Sequence, residues 1–331
     1  MGFTLSVFRI MKIMLLASLL ALPAFSVEAQ TRIMRPIRLV VPYVPGGGTD
    51  TLSRFVAPWI SEEFGQQVVI DNRSGGSSTI GTGIVARATA DGHTIGMIDA
   101  AFLINPSLFA NMPYDALKDF VPLAFVATAP LVLMVHPSVK AVSVKELVAL
   151  AKAQPGKLNY GSAGNGSAVH LAAEQLRAAA GIDLIHIPYK GTGQSIADLV
   201  GGQLNMIFST QSVAKPLNAS GRTRALAITA PKRTQVMPDL MTFGEAGFPP
   251  VDAATINGRI APAGTPRDYV QRVNGAVQKA LKSRELQAKL SELGFEIAGG
   301  TPDEFAQWIR AEIPKWNRVV KAANVKIEGG P

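Results

Sequence analysis

The residues best suited to chemistry in this sequence are glycines and hydroxyl residues that follow short apolar runs. Residues 37–54 read IRLVVPYVPGGGTDTLSR: an apolar run, three glycines, and then Thr49 and Asp50 at the start of a helical pattern. Backbone N–H groups at a helix N terminus are unpaired and carry partial positive charge. Glycines allow a ligand to approach that backbone closely. The segment therefore predicts a site for an anion, either a carboxylate or a phosphate.

Two further segments repeat this arrangement. Residues 159–170, NYGSAGNGSAVH, lead from a strand pattern to a helix pattern through three glycines, with Ser167 as a good helix N-cap. Residues 72–81, NRSGGSSTIG, which include Ser78, join another strand to a helix. One such loop alone can be only a tight turn. Loops from two domains that face each other would hold one small anion between helix N termini.

Other ligand chemistries fit the sequence poorly. Thr51 stands where a dinucleotide fingerprint needs its third glycine, and residues 190–192, Lys-Gly-Thr, invert the order of a phosphate-binding P-loop. The chain has no cysteine, and its four histidines fall in no zinc-ligand spacing. We therefore predict neither a cofactor nor a metal site. His170 is open to two interpretations, since it could touch a ligand or only pack.

An enzyme of the serine hydrolase or transferase type is the alternative from another class. Ser162 or Ser167 would be the nucleophile and His170 the base, and residues three apart share a helix face. Neither serine has the G-x-S-x-G glycine pattern of a nucleophile elbow, and no orienting carboxylate is recognisable. Hydrogen bonding of these hydroxyls to an anion is therefore the favoured interpretation.

The N-terminal segment has the features of an export signal. Arg9 and Lys12 precede an apolar stretch at residues 13–25, which ends at Val27-Glu28-Ala29. The stretch is shorter than the roughly 20 residues that cross a bilayer. We predict a signal peptide at residues 1–29, its cleavage, and a periplasmic location. The net charge is +8, but the basic residues are scattered, so no nucleic acid is predicted as a partner.

Alternating apolar runs and helical patterns predict a parallel sheet wrapped by helices, hence an α/β fold. An apolar stretch at residues 121–136, interrupted at Pro130, suggests two strands and a domain boundary. The predicted strands are residues 67–71, 94–99, 158–162, 183–188, 204–209 and 224–229. The predicted helices are residues 78–87, 144–153, 167–179, 193–200, 266–282, 284–293 and 302–323.

Several segments together resemble one family. They are RPIRLVVPYVPGGGTD, DNRSGG, INPSLF, QPGKLNYGSAGNGSAVHLAAE, HIPYKGTG, ALAITAPKR and IAPAGTP, in this order along the chain. The sequence resembles the Bug-type, TctC-like solute receptors of the tripartite tricarboxylate transporters over essentially the whole mature chain. The resemblance implies a type II periplasmic binding protein fold, with two α/β lobes joined by two crossover strands. Lobe 1 would contain residues 30–125 and 229–331, and lobe 2 residues 126–228.

The resemblance also implies a function. Such a receptor is not an enzyme: it captures a small carboxylate, such as a dicarboxylate, a tricarboxylate or an aromatic acid, through backbone amides and hydroxyls. It would deliver this ligand to membrane permease subunits, or serve a sensor kinase without a permease. The ligand contacts carried over from the family, completed by Ser78 of the third loop and by Ser209, are Tyr43, Gly47, Gly48, Thr49, Ser162, Asn165, Gly166, Ser167 and His170.

Two positions depart from the family pattern. Ser209 stands where members often have an aspartate that could pair with an amino group, so an amino-acid ligand is disfavoured. Arg259 follows Asn257-Gly258, where relatives commonly have an apolar residue. Arg259 could face solvent, or it could pair with a second carboxylate of the ligand.

Overall fold

A computed structural model describes residues 33–46, 48–249, 251, 253–322 and 325. The predicted signal peptide and Gly47 lie outside the described residues. The strands are β1 Ile37–Val41, β2 Val68–Asn72, β3 Thr94–Ile98, β4 Phe120–Val135, β5 Asn159–Ser162, β6 Ile185–Pro188, β7 Met206–Thr210, β8 Arg224–Ile228, β9 Ala254–Pro262 and β10 Glu296–Ile297. The helices are α1 Gly48–Phe64, α2 Thr79–Ala86, α3 Ala100–Leu108, α4 Val144–Ala153, α5 Ala168–Ala180, α6 Thr192–Val200, α7 Gln211–Ala219, α8 Arg267–Lys282, α9 Arg284–Glu292 and α10 Pro302–Ala322.

Two groups of strands share β4. The first group has the order β2-β1-β3-β9-β4, with β10 also paired to β4. The second has the order β4-β7-β5-β6, with β8 also paired to β4. The pairs among β1, β2 and β3 are parallel, as are those among β5, β6 and β7, whereas β4 and β9 run antiparallel to their neighbours. The expectation of a parallel sheet was therefore right for the outer strands and wrong for the two central ones.

The apolar stretch at residues 121–136 is a single strand, so the prediction of two strands was wrong. Phe120 to Pro130 pair with β9, and Leu131 to Val135 pair with β7 and β8. Pro130 has no N–H to donate, yet its fixed φ is compatible with an extended chain. It therefore marks a change of partner strands without ending the strand. The predicted lobe boundary between residues 125 and 126 falls inside β4, before this change.

The first sheet buries its strands beneath amphipathic helices. Leu39 and Val41 of β1 belong to one core cluster with Leu52 and Val56 of α1, and all four side chains are almost fully buried. Helix α8 adds Val273 to the same cluster. These contacts fix the position of α1, and therefore of its N terminus at the end of β1.

Most predicted helices match the structure, and two were missed. Helix α4 has the predicted bounds, α5 is displaced by one residue at both ends, and α6 begins one residue earlier than predicted. Helices α3 and α7, which contain Pro106 and Pro216 respectively, were not predicted. Among the described residues, no helix is both long enough and apolar enough to cross a bilayer.

Candidate functional site

A cavity of about 470 Å³ lies where several helices begin. Within the described residues, four helices contribute residues of their first turn to its wall: α1 with Gly48 and Thr49, α5 with Ala168, α6 with Thr192, and α7 with Ser212. A helix N terminus presents unpaired N–H groups and the positive end of the helix dipole. The convergence of these four ends makes the cavity a favourable environment for an anion.

The N termini of α6 and α7 are not capped by side chains. Helix α6 begins after Gly191, and the Thr210 hydroxyl before α7 lies 2.9 Å from the Ser212 hydroxyl; in the part of the chain that the structure describes, neither residue caps a backbone N–H group of its helix. Helix α5 differs, since the Ser167 hydroxyl accepts from the backbone N–H of His170 at 3.3 Å. The uncapped ends therefore keep their backbone donors available for a ligand.

The loop before α1 is held by a buried carboxylate. Asp50 accepts hydrogen bonds from the Gly46 N–H at 3.0 Å, from the Arg54 guanidinium at 2.9 Å and from the Asn72 amide at 3.0 Å. Burial alone would raise the pKa of Asp50, but these hydrogen bonds outweigh it and hold the pKa below its usual value. The carboxylate thus stays ionised and fixes the loop that leads into the cavity.

Asp99 is a charged side chain at the cavity wall. Its carboxylate accepts from the Tyr43 hydroxyl at 2.5 Å and from the Ala101 N–H at 3.1 Å, which caps α3. Burial raises the pKa of Asp99 to about 6, against the lowering effect of these hydrogen bonds. Burial, followed by the charge of Asp99, raises the pKa of Tyr43 well above its usual value. Among the described residues, no lysine or arginine lines the cavity.

Apolar side chains form much of the remaining wall. They lie on loops, strands and helices that belong to both groups of strands. They include Val44, Leu131, Ile196, Val213, Ile256, Leu293 and Phe295. An apolar wall with a few polar groups is typical of small-ligand sites. The cavity can therefore surround the hydrocarbon body of an organic acid while helix N termini face its charged group.

The structure brings together part of the predicted site. The predicted residues that line the cavity are Tyr43, Gly48, Thr49, Ser167 and Ser209. Gly47 lies outside the described residues. The predicted residues that do not line it are Ser78, Ser162, Asn165, Gly166 and His170. Ligand contact by any of these residues stays a prediction.

His170 supports the loop before α5. Its Nδ1 accepts from the Gly166 N–H at 3.1 Å, and its ring stacks on that of His186 with 4.2 Å between the centroids. Burial, followed by the positive charge of Arg177, lowers the pKa of His170 to about 4. His170 is therefore neutral at physiological pH, and it packs against the loop in this structure; its contact with a ligand stays a prediction.

The serines considered as nucleophiles are engaged in the same loop. The Ser167 hydroxyl donates to the Gly164 carbonyl at 2.7 Å, and its link to His170 runs through the backbone N–H of that residue. The Ser162 hydroxyl lies 2.7 Å from Nε2 of His186, but Ser162 is only 1% exposed. Ser167 therefore caps helix α5 through the backbone N–H of His170. The His170 imidazole accepts from the Gly166 N–H and is not hydrogen-bonded to the Ser167 hydroxyl.

Gly166 is required by packing between the two groups of strands. Its φ is +74°, and a Cβ there would meet Oδ1 of Asn105 at 2.7 Å and Cδ1 of Leu108 at 2.9 Å. Both neighbours belong to α3. A larger residue at this position would therefore clash with protein, whether or not a ligand is bound nearby.

Sequence reasoning missed several residues of the cavity wall. Asp99, Thr210 and Ser212 were not selected, although Asp and Thr before a helix are common N-caps. Asn257 and Thr255 also line the cavity from β9, which the sequence did not predict as a strand. The signal available for them was the departure from the family pattern at Asn257-Gly258-Arg259.

Two α/β layers that share a long strand, with a cavity at the helix N termini, define a solute-binding protein of the two-lobed type. Residues 52–325 match the family model described as tripartite tricarboxylate transporter family receptor, TctC. The chain belongs to this family. The predicted family and fold class, a type II periplasmic binding protein with two α/β lobes, are confirmed.

Related proteins match the chain along most of their length. Protein BugT of Bordetella pertussis is 35% identical over 309 residues, which cover 92% of this chain and 94% of BugT. The structure of Rpa4515 of R. palustris with adipate has a TM-score of 0.84 at 36% identity, covering 88% of this chain and 98% of Rpa4515. MatC from Rhodopseudomonas palustris with bound malate has a TM-score of 0.81 at 30% identity, covering 87% and 99%.

Proposed function

We propose that this protein is an exported, periplasmic receptor that binds a small carboxylate without transforming it and delivers it to a membrane permease. The observation that carries the proposal is the convergence of four helix N termini on one cavity with apolar walls. Backbone donors that are already in place require little reorganisation on binding. A carboxylate satisfies those donors, and its hydrocarbon part fits the apolar wall.

Features of the site and of the related structures support this ligand class. Rpa4515 was solved with adipate and MatC with malate, and both are small dicarboxylates. The cavity of about 470 Å³ is large enough for acids of this size. We propose that the contacts include Tyr43, Gly48, Thr49, Ser167 and Ser209 together with the first-turn N–H groups of α6 and α7.

The family to which the chain belongs supports the proposed partner. Receptors of tripartite tricarboxylate transporters are named for a system with membrane subunits, and an exported receptor needs such a partner to deliver its ligand. We propose a lobe arrangement of residues 30–125 with 229–331 and residues 126–228, in which hinge motion closes the lobes on the ligand. Uptake of a labelled acid by cells with and without the receptor tests delivery.

Binding itself is tested by thermal shift and by titration calorimetry. The panel contains straight-chain mono-, di- and tricarboxylates and aromatic acids, and the matched controls are the neutral diol and diamide of the same chain length. A ligand that binds only the native state raises the melting temperature in proportion to the logarithm of its concentration. We expect shifts with one or more acids and none with the neutral analogues. A panel without any shift would contradict the proposal.

A further inference from the structure

Arg259 is a buried cation beside the cavity wall. It lies in β9 and is 0% exposed, so the alternative that it faces solvent was wrong. Its Nη1 donates to Oδ1 of Asn257 at 2.6 Å and to the Gly258 carbonyl at 3.1 Å. Its Nε and Nη2 have no hydrogen-bond partner among the residues that the structure describes.

No acidic side chain of the described part of the chain forms an ion pair with Arg259. Burial lowers the pKa of Arg259 to about 9, so it remains a cation at neutral pH. A buried charge without a partner is costly, and buried charges in proteins are normally paired. The two donors and the charge therefore indicate that an anion completes this position.

Asn257 connects Arg259 to the cavity. It lines the cavity, and its Oδ1 is the atom that accepts from Arg259. A guanidinium has only donors, so the amide oxygen must face it and the amide Nδ2 must point the other way. That Nδ2 is buried and has no partner within the described residues. The pair thus leaves an unpaired amide donor on a residue that lines the cavity, with the positive charge of Arg259 bonded to the oxygen of the same amide.

The backbone that carries the pair is held in place from its other face. A Cβ at Gly258 would lie 2.4 Å from Cζ of Phe305, so the strand packs closely on that ring. Phe305 also stacks on Phe125 of β4, with 4.8 Å between the ring centroids. Asn257 and Arg259, which flank this glycine and point to the opposite face, therefore occupy a fixed position.

We propose that Asn257 and Arg259 form a second anion subsite, which holds the distal carboxylate of a dicarboxylate whose first carboxylate lies at the helix N termini. The inference rests on the proposed function and narrows its ligand class to dianions. Asn257 contacts the carboxylate through Nδ2. Arg259 is a positioning residue, which orients the amide and neutralises the second negative charge. A monocarboxylate of the same length would leave the buried Nδ2 of Asn257 without an acceptor and the charge of Arg259 unbalanced.

The test compares matched acids by titration calorimetry on the full mature protein. The probe pairs are succinate with butyrate and adipate with hexanoate, in which each pair differs by one carboxylate. We expect the wild type to prefer at least one dicarboxylate to its partner by about 10- to 100-fold, the range for a buried charged contact. In Arg259→Met this preference should fall to about threefold or less, and in the control Arg222→Met, an exposed site, it should be unchanged.

A second variant separates the anion subsite from a purely structural role. Asn257→Asp supplies the carboxylate within the protein, next to the guanidinium. We expect it to lose the dicarboxylate preference while its melting temperature without ligand stays equal or rises, because the buried cation then has a partner. Arg259→Met should also keep or raise the melting temperature, since it replaces an unpaired buried cation by an apolar side chain of similar volume.

Each outcome decides the inference. If dicarboxylates bind the wild type no better than monocarboxylates, the subsite is wrong although the proposed function stands. If the preference survives in both variants, the inference is equally wrong. If no acid of either kind binds the wild type, the proposed function fails and the subsite fails with it. If Arg259→Met only lowers the melting temperature and keeps the preference, the arginine is structural.

Discussion

The Tyr43 hydroxyl donates to the Asp99 carboxylate across 2.5 Å and joins the loop after β1 to the N-cap residue of α3. Both residues line the cavity that we propose for a carboxylate. An ionised Asp99 therefore places a negative charge beside the negative charge of the ligand carboxylate. The helix N termini and the buried Arg259 must outweigh it, which makes the charge state of Asp99 a determinant of affinity.

Affinity should increase as pH falls from 8 to 6. Burial raises the pKa of Asp99 to about 6, so the group is ionised at pH 8 and about half neutral at pH 6, while both carboxylates of a simple dicarboxylate stay mostly ionised. Neutral Asp99 no longer repels a carboxylate ligand. Titration calorimetry with adipate at several pH values measures the effect, and Asp99→Asn should remove most of it. Asp239→Asn, at an exposed site, serves as the control. An affinity that falls with acid in the wild type would contradict the prediction.

The stability of the unliganded protein should depend on His170 and His186. Burial lowers their pKa values to about 4 and about 3. Since the unfolded chain takes up these protons first, near pH 6.5, stability is lost as pH falls below that value. Each imidazole should contribute about 2 kcal/mol of loss between pH 7 and 5. Tyr160, Glu174 and Arg177 complete the surrounding cluster.

Denaturant unfolding at pH 7 and pH 5 measures this loss, and His170→Asn should reduce it. Asp99 acts in the opposite direction, because its raised pKa gives stability that is present at low pH and lost as pH rises through about 6. Comparing the variant with the wild type at both pH values cancels the Asp99 contribution. An equal loss in the two proteins would show that the imidazole is not buried as described.

Gly166→Ala should destabilise the protein by about 2 kcal/mol, from a positive φ and a clash with α3. The added Cβ would meet Oδ1 of Asn105 at 2.7 Å. The matched control is Gly181→Ala, which has a φ of +62° and nothing within 4 Å of its Cβ. The control measures the cost of the φ angle alone. Equal losses of unfolding free energy in the two variants would contradict close packing at residue 166.

Much of the fold could be predicted because it depends on local patterns. The glycine loop before Thr49 and the N-cap Ser167 each predict the start of a helix from a few consecutive residues. Both lie at the cavity. Helix α7 was not predicted, and the side chains that pack it against the protein are Gln211 and Ala214 of its N-terminal half. Propensity alone cannot weigh such tertiary contacts.

The role of residues in β9 could not be predicted for a different reason. Whether Arg259 faces solvent or the interior depends on the pairing of β9 with β3 and β4, which are more than 120 residues away in sequence. A one-residue change in register would place its side chain on the other face. The close approach of Gly166 to Asn105 is likewise a contact between distant segments. The pattern of a single sequence does not show which distant residues are in contact.

The central claim is that helix N termini, without a basic side chain at the cavity wall, hold a carboxylate. A crystal structure of the protein with adipate tests it most directly. We predict that one carboxylate lies within about 2.7 to 3.2 Å of backbone N–H groups at the first turns of α1, α6 or α7. An adipate bound outside this cavity, or held there only by lysine or arginine side chains, would contradict the account.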